Sequence, residues 1–173
     1  MKPNLHFLLA LSLCSVLFTC SPEDNTNITL EKLSEFTFNG ETYDLASAII
    51  RDENTGDISI NLFNKTSSEI TSNSDLSDVT YLHFSLNDST IQQTTYNQIE
   101  DYDISINSSV IDSEFNSGTV LLSDNNPDSE VYAQSGSVTV TNFTAYNIVF
   151  TFTFTRNDGQ VIAGVYDGNY YIP

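Results

Sequence analysis

The sequence predicts an all-β fold, a single antiparallel β-sandwich or a small open barrel of about eight to ten strands. Short runs rich in β-branched and aromatic residues alternate in polarity with a period of two. Clusters of Asn, Asp, Gly and Ser separate these runs, and no stretch sustains the 3.6-residue period of a helix. Many short strands joined by turns are typical of sandwiches and barrels.

The N-terminal strands are predicted from alternation around turn signals. Phe36 and Phe38 alternate with Thr37 and are followed by Asn39-Gly40, a dipeptide suited to a type I′ hairpin turn. Residues 43–50 are expected to return as the partner strand. After a polar turn at 52–57, residues 58–63 form the next expected strand.

The middle of the chain is less regular. Residues 64–78 are rich in Ser, Thr and Asn and are expected to form a long loop, a kind of segment that is often functional in a compact domain. Strands are predicted at 79–86, near 102–106 and at 119–122.

The C-terminal part carries the clearest pattern. Val138 and Val140 begin one strand, and the turn at 157–159 separates two more, at 148–155 and 161–166. The alternation predicts an antiparallel meander with one apolar and one solvated face. The expected apolar side chains of the central strand are Ile148, Phe150, Phe152 and Phe154, and the expected solvated ones include Thr151, Thr153 and Thr155.

The N-terminal segment predicts an export signal. Lys2 precedes an almost uncharged apolar stretch that is too short to span a bilayer as a helix. The motif Leu17-Phe18-Thr19-Cys20 resembles the bacterial lipobox, which implies cleavage before Cys20 and attachment of lipid to its thiol. We therefore expect a signal peptide over 1–19, a lipidated cysteine with a polar tether over 20–34, and an all-β domain over 35–173.

Two further resemblances concern location. The acidic run Ser21-Pro22-Glu23-Asp24 resembles the short tag that directs lipoproteins of Bacteroidota to the outer face of the outer membrane. The hairpin pattern at 36–43 and the C-terminal strands at 136–168 are similar to those of small, mostly uncharacterised lipoproteins of the same bacteria. These resemblances imply an outer-membrane, lipid-anchored protein at the cell surface, with the periplasmic face as the alternative.

Composition excludes several classes of function. Lys and Arg number 5 against 23 Asp and Glu, and removal of Lys2 leaves 4 − 23 = −19. This charge disfavours nucleic acid and anionic lipid. Cys14 and Cys20 are the only cysteines and His83 is the only histidine beyond residue 19, so thiol catalysis and Cys- or His-rich metal clusters are not expected. His83 is expected to face outward from a half-buried strand.

One loop is a weak candidate for calcium. Asp52, Asn54 and Asp57 place side-chain oxygens at intervals around Gly56, and oxygen ligands are what calcium takes. The position of the bidentate Glu of an EF-hand is occupied by Phe63. The alternative, a hairpin turn that uses Asn and Gly for positive φ, is favoured, and no other cofactor is expected.

Two other weak candidates involve glycans. Tyr146, Tyr166, Tyr170 and Tyr171 cluster in the C-terminal sequence, where aromatic rings could stack on sugars; strand packing is the alternative. Asp88-Ser89-Thr90 resembles the short motif at which Bacteroidota attach O-glycans, with Ser89 as the modified residue.

The expected function is a non-catalytic binding or adhesion module for a glycan or a protein, because the chain carries no catalytic motif such as G-x-S-x-G. An accessory structural subunit of an outer-membrane assembly is one alternative. A small glycan hydrolase is another, although 23 acidic residues make some carboxylate pair inevitable.

Overall fold

A computed structural model describes residues 33–53, 56–123 and 130–173. The described chain is all-β, as predicted, and its strands do not close into a barrel. It contains twelve strands, more than the eight to ten predicted. Three of them have two to four residues, lie at sheet edges and carry too little alternation to be recognised from the sequence. The strands are β1 Glu35–Phe38, β2 Glu41–Asp44, β3 Ser47–Asp52, β4 Ile58–Phe63, β5 Leu76–Leu86, β6 Thr95–Tyr96, β7 Ile99–Ile111, β8 Glu114–Asn116, β9 Thr119–Leu122, β10 Ala133–Phe143, β11 Asn147–Arg156 and β12 Val161–Tyr171.

The strands form two sheets that share β12. Sheet A has the order β6-β10-β11-β12-β1-β2, and every neighbouring pair in it is antiparallel. Sheet B has the order β3-β4-β5-β7, with β8 and β9 both paired to β7. The last two residues of β12, Tyr170 and Tyr171, leave sheet A and pair in parallel with Ala48 and Ile49 of β3.

The core lies between the two sheets and is rich in phenylalanine. The Phe84 ring of sheet B lies with its centroid 5.9, 6.4 and 5.8 Å from those of Phe150, Phe152 and Phe154 of sheet A. Ile148 and these three phenylalanines are at most 2% exposed, which confirms the predicted apolar face of β11. A Cβ at Gly136 would lie 2.7 Å from the Phe154 ring, so glycine lets that ring pack against β10.

The first hairpin confirms its predicted turn but not its predicted partner strand. Asn39 and Gly40 have φ of 51° and 81°, as a type I′ turn requires. The predicted strand at 43–50 is wrong as a single unit, because β2 ends at Asp44 and β3 begins at Ser47 in the other sheet. Ala46 N–H donates to the Phe63 carbonyl oxygen at 2.6 Å, so the chain changes sheets at this point.

The expected loop at 64–78 contains a short helix, α1, over Ser67–Ile70, and the first residues of β5. Thr66 and Glu69 form a capping box, which satisfies backbone donors at the start of the helix. Ile70 then packs against Ile49 and Phe63 on the outer face of sheet B. No helix of the described residues is both long and apolar enough to cross a bilayer.

The predicted signal peptide and most of the tether lie outside the described residues. The described chain begins at Leu33, and Ser34 joins it to β12: the Asp167 N–H donates to Ser34 Oγ at 2.9 Å.

Candidate functional site

The outer face of sheet B carries a groove of about 540 Å³. Two rows of side chains cross β3, β4, β5 and β7 beneath it, as the register of the strands requires: Ser47, Phe63, Tyr81 and Ser105 in the first row, and Ile49, Asn61, His83 and Asp103 in the second. Directly opposed residues on neighbouring strands have Cβ atoms roughly 5 Å apart. The register therefore brings together residues far apart in the chain, such as Ile49 and Asp103, which are 54 positions apart.

Aromatic rings form the base and one wall of the groove. The Tyr81 ring centroid lies 5.3 Å from that of Phe63, 5.0 Å from that of Phe115 and 6.3 Å from that of His83. Phe63 is almost fully buried, whereas Phe115, on β8, is 40% exposed. The groove thus presents one accessible ring, Phe115, packed on the half-buried Tyr81 and through it on Phe63, an arrangement suited to stacking on the apolar face of a ligand.

A hydrogen-bonded amide fixes two of these rings. Asn61 Oδ1 accepts from the Tyr81 hydroxyl at 2.9 Å and lies 3.1 Å from Nδ1 of His83. This distance suits a hydrogen bond from Nδ1 of His83 in the tautomer that carries its proton there. Because Asn61, Tyr81 and His83 lie on adjacent strands, this contact locks the side chains in place relative to the sheet.

Charged groups lie on the two opposite sides of the groove. Arg51 is on β3 and Asp103 on β7, three strand spacings away, or roughly 14 Å across the sheet. Burial raises the pKa of the Asp103 carboxyl. Burial, with the Asp103 charge as a second cause, raises the pKa of Tyr81 to about 12, so its phenol stays protonated and remains a donor to Asn61.

Few cationic groups exist elsewhere in the described chain. Arg156 is buried, where it donates to the Leu121 carbonyl oxygen at 3.0 Å and pairs with Asp158 at 2.8 Å. Lys65 lies in the connection between β4 and α1. Arg51 is therefore the one Lys or Arg among the described residues that lines this groove.

The structure does not gather the four predicted tyrosines on one surface. Tyr166 is 1% exposed, packs on Phe150 and donates to the Asn169 carbonyl oxygen at 2.6 Å, so it is a core residue and cannot stack on a sugar. Tyr170 is half-buried and donates to the Thr144 carbonyl oxygen at 2.8 Å. Tyr146 and Tyr171 are exposed, at 80% and 44%.

The predicted calcium loop is only partly described. Asp52 ends β3 and Asp57 precedes β4, while Asn54 lies outside the described residues. The Glu53 N–H donates to the Asp57 carbonyl oxygen at 3.1 Å, and Gly56 has φ of 97°, as in a hairpin turn. Among the described residues no group of three His, Cys, Asp or Glu side chains is placed to hold a metal ion. Calcium binding stays a prediction.

Ser89 is exposed in the turn that follows β5. The Asp88 side chain accepts from the Thr90 N–H at 3.4 Å, so the candidate hydroxyl lies on a local turn at the surface. Cys20, the predicted lipidation site, lies outside the described residues.

The residues of the groove were not predicted from sequence as a site. His83 was expected to face outward and does, but Tyr81, Asn61 and Asp103 carry no motif. The sequence did show a polar or aromatic residue at every second position of two predicted strands. It did not show the register that aligns these residues on neighbouring strands. Comparison with protein-family models, with curated proteins and with solved structures gives no match.

Proposed function

We propose that this chain is a lipid-anchored, surface-exposed, non-catalytic binding module whose ligand, a neutral glycan, binds in the groove of sheet B. The observation that supports it best is one groove that combines an accessible aromatic ring with a half-buried carboxyl, Asp103, in cross-strand register with His83 and Asn61. A carboxyl in a cleft whose pKa is raised by burial is typical of functional sites.

The chemistry of the groove favours a saccharide. Sugar rings have apolar C–H faces that pack on aromatic rings and hydroxyl groups that donate to carboxylate and amide oxygens. Phe115 supplies the ring, Asp103 the carboxylate, and Arg51 donors on the opposite side. A neutral ligand also avoids repulsion from a chain whose net charge is −18.

Titration calorimetry against a panel of neutral hexose and N-acetylhexosamine oligosaccharides tests the proposal. Phe115→Ala should weaken binding by about 2- to 12-fold, the equivalent of the roughly 0.5–1.5 kcal/mol of an aromatic contact. Val120→Ala is the matched control, because Val120 is 39% exposed on the neighbouring β9 and does not line the groove. Equal effects of the two substitutions, or no binding by any member of the panel, would contradict a glycan site in this groove.

The same samples separate binding from hydrolysis. Product analysis by chromatography after long incubation should show intact oligosaccharide. Cleavage that is abolished by Asp103→Asn would instead support the hydrolase alternative, with Asp103 as the acid whose pKa is raised by burial.

A further inference from the structure

Several apolar side chains are exposed at one end of sheet A, the end at which β12 finishes. Strands β1 and β11 both run antiparallel to β12, with Glu35 opposite Val165 and Asn147 opposite Asn169. The residues that precede these two strands therefore lie toward the end of β12, Leu33 on the β1 side and Tyr146 on the β11 side. We call the following exposed residues the aromatic edge: Leu33, Tyr146, Tyr171 and Ile172.

The side chains of the aromatic edge are exposed by 55% at Leu33, 80% at Tyr146, 44% at Tyr171 and 62% at Ile172. The residues beneath them are held by a ring contact and a hydrogen bond. Tyr170 stacks on Phe143 with centroids 5.5 Å apart, and its hydroxyl donates to the carbonyl of Thr144, in the turn that carries Tyr146. Apart from Leu33, the exposed apolar groups thus lie on the turn between β10 and β11, which Tyr170 holds in place, and on the end of β12, which pairs with β3.

The segment that precedes the domain in the sequence indicates what covers this edge. Leu33 is itself part of the edge, and the predicted lipid attachment site, Cys20, precedes it by 13 residues. Thirteen residues span at most about 45 Å when fully extended. An anchor at Cys20 would therefore keep this edge within about 45 Å of the membrane.

We propose that the aromatic edge rests on the membrane, with Tyr146, Tyr171 and Ile172 in the headgroup layer; this inference depends on the lipid anchor of the proposed function. Tyrosine is enriched at membrane interfaces because its ring is apolar and its hydroxyl is polar. The contact should be stronger with zwitterionic than with anionic lipid, since the chain is strongly acidic and an anionic surface would repel it. Contact at this edge would fix the orientation of the domain relative to the bilayer.

The absence of tryptophan in the chain provides a direct test. Tyr146→Trp introduces a single indole at an exposed turn, and the full-length lipidated protein is reconstituted into phosphatidylcholine vesicles with brominated acyl chains. The indole should lose most of its fluorescence in brominated relative to unbrominated vesicles, and in both it should emit at shorter wavelength than an indole exposed to water. Val161→Trp is the control, because Val161 is 47% exposed at the opposite end of β12, and its indole should be unaffected.

Loss of the lipid anchor and loss of contact between the aromatic edge and the membrane give different results. Protein that floats with the vesicles but shows equal, weak quenching at both positions retains its anchor and overturns the docked edge. Protein that does not float has no anchor, which overturns that part of the proposed function and this inference with it. An indole at position 146 that is shielded in native outer membranes but not in lipid vesicles would indicate a protein partner and also overturn the proposal.

Discussion

The outer faces of the two sheets are built by the same alternation but carry different chemistry. On sheet A, the register aligns Thr139 with Thr151 and Ser137 with Thr153, and the Thr95 and Thr139 hydroxyls lie 2.9 Å apart. On sheet B, the equivalent rows hold aromatic rings, an amide, a histidine and a carboxyl. On sheet A the Thr95 and Thr139 hydroxyls pair with each other, and the side chains of Thr151 and Thr153 are exposed.

The outer face of sheet B is more than a solvated face. Ile49, Phe63 and Val79 form a second apolar cluster there, covered by Ile70 of α1. The helix and the β7–β8 hairpin rise on either side of the aromatic rings and make the groove concave. Alternation thus decides which residues point outward, whereas the connections beyond the strands decide whether that face becomes a site.

Both faces depend on the shared core, and its disruption should give the largest effect. Phe84→Ala removes a fully buried ring that contacts Phe150, Phe152 and Phe154. The expected loss in the free energy of unfolding is about 3–5 kcal/mol, measured by urea denaturation. The more conservative Phe84→Leu should lose less. A loss below about 1 kcal/mol for the alanine variant would show that the two sheets are not packed through this ring.

Tyr81→Ala and Thr153→Ala compare the centres of the two outer faces directly. Removing Tyr81 eliminates ring contacts with Phe63 and Phe115 and the hydrogen bond to Asn61, so we expect a loss of about 2 kcal/mol in stability. Thr153 is exposed, and its truncation should change stability by no more than about 0.5 kcal/mol.

Thermal unfolding of the two variants measures this difference, and calorimetry with a bound oligosaccharide measures its consequence. Only Tyr81→Ala should weaken binding. Tyr81→Phe separates the two roles of the side chain, since it keeps the ring and loses the hydroxyl. A weaker affinity in Thr153→Ala would place the ligand on sheet A instead.

The sequence was sufficient for the fold class and for most core residues, because period-two alternation reports burial directly. Ile148 and Phe150 were assigned to the core in this way, and Asn39-Gly40 specified its turn through positive φ. The change of sheet at residues 45–46 was not predictable, because the alternation continues on both sides of it. It depends on long-range pairing of Ser47 with Phe63 and of Tyr170 with Ala48.

The candidate site was less accessible to prediction for a related reason. Tyr166 and Tyr170 are close in sequence to Tyr171, but adjacent positions in a strand point to opposite faces and Tyr166 entered the core. His83 and Asp103 are 20 residues apart and meet only through the register of β5 and β7, which includes irregularities between Leu76 and Tyr81 and between His83 and Ser85. A shift of one residue in that register would have turned one of these side chains to the other face.

The smallest expected effect concerns the charge of Asp103, and it distinguishes a residue kept for binding from one kept for stability. Burial raises the pKa of this carboxyl in the folded chain above its ordinary value of 3.8. The folded state therefore binds the proton more readily than the unfolded state, and this group's contribution to stability improves as pH falls through the folded pKa toward 3.8. At neutral pH the ionised carboxylate is the unfavourable form, so Asp103→Asn should stabilise the fold by on the order of 0.5 kcal/mol, or roughly 2 °C in Tm. That advantage over the wild type should shrink as the pH is lowered toward 4.

Asp101→Asn is the matched control, since Asp101 is exposed on the same strand and has a positive φ that asparagine also tolerates. Calorimetric scans of the three proteins between pH 4 and pH 7 measure the difference. If Asp103→Asn is more stable at neutral pH but binds oligosaccharide less tightly, the carboxylate is maintained at a cost to the fold for the sake of the ligand. Destabilisation by Asp103→Asn at every pH would show that the carboxylate stabilises sheet B, and the groove would lose its strongest indication of function.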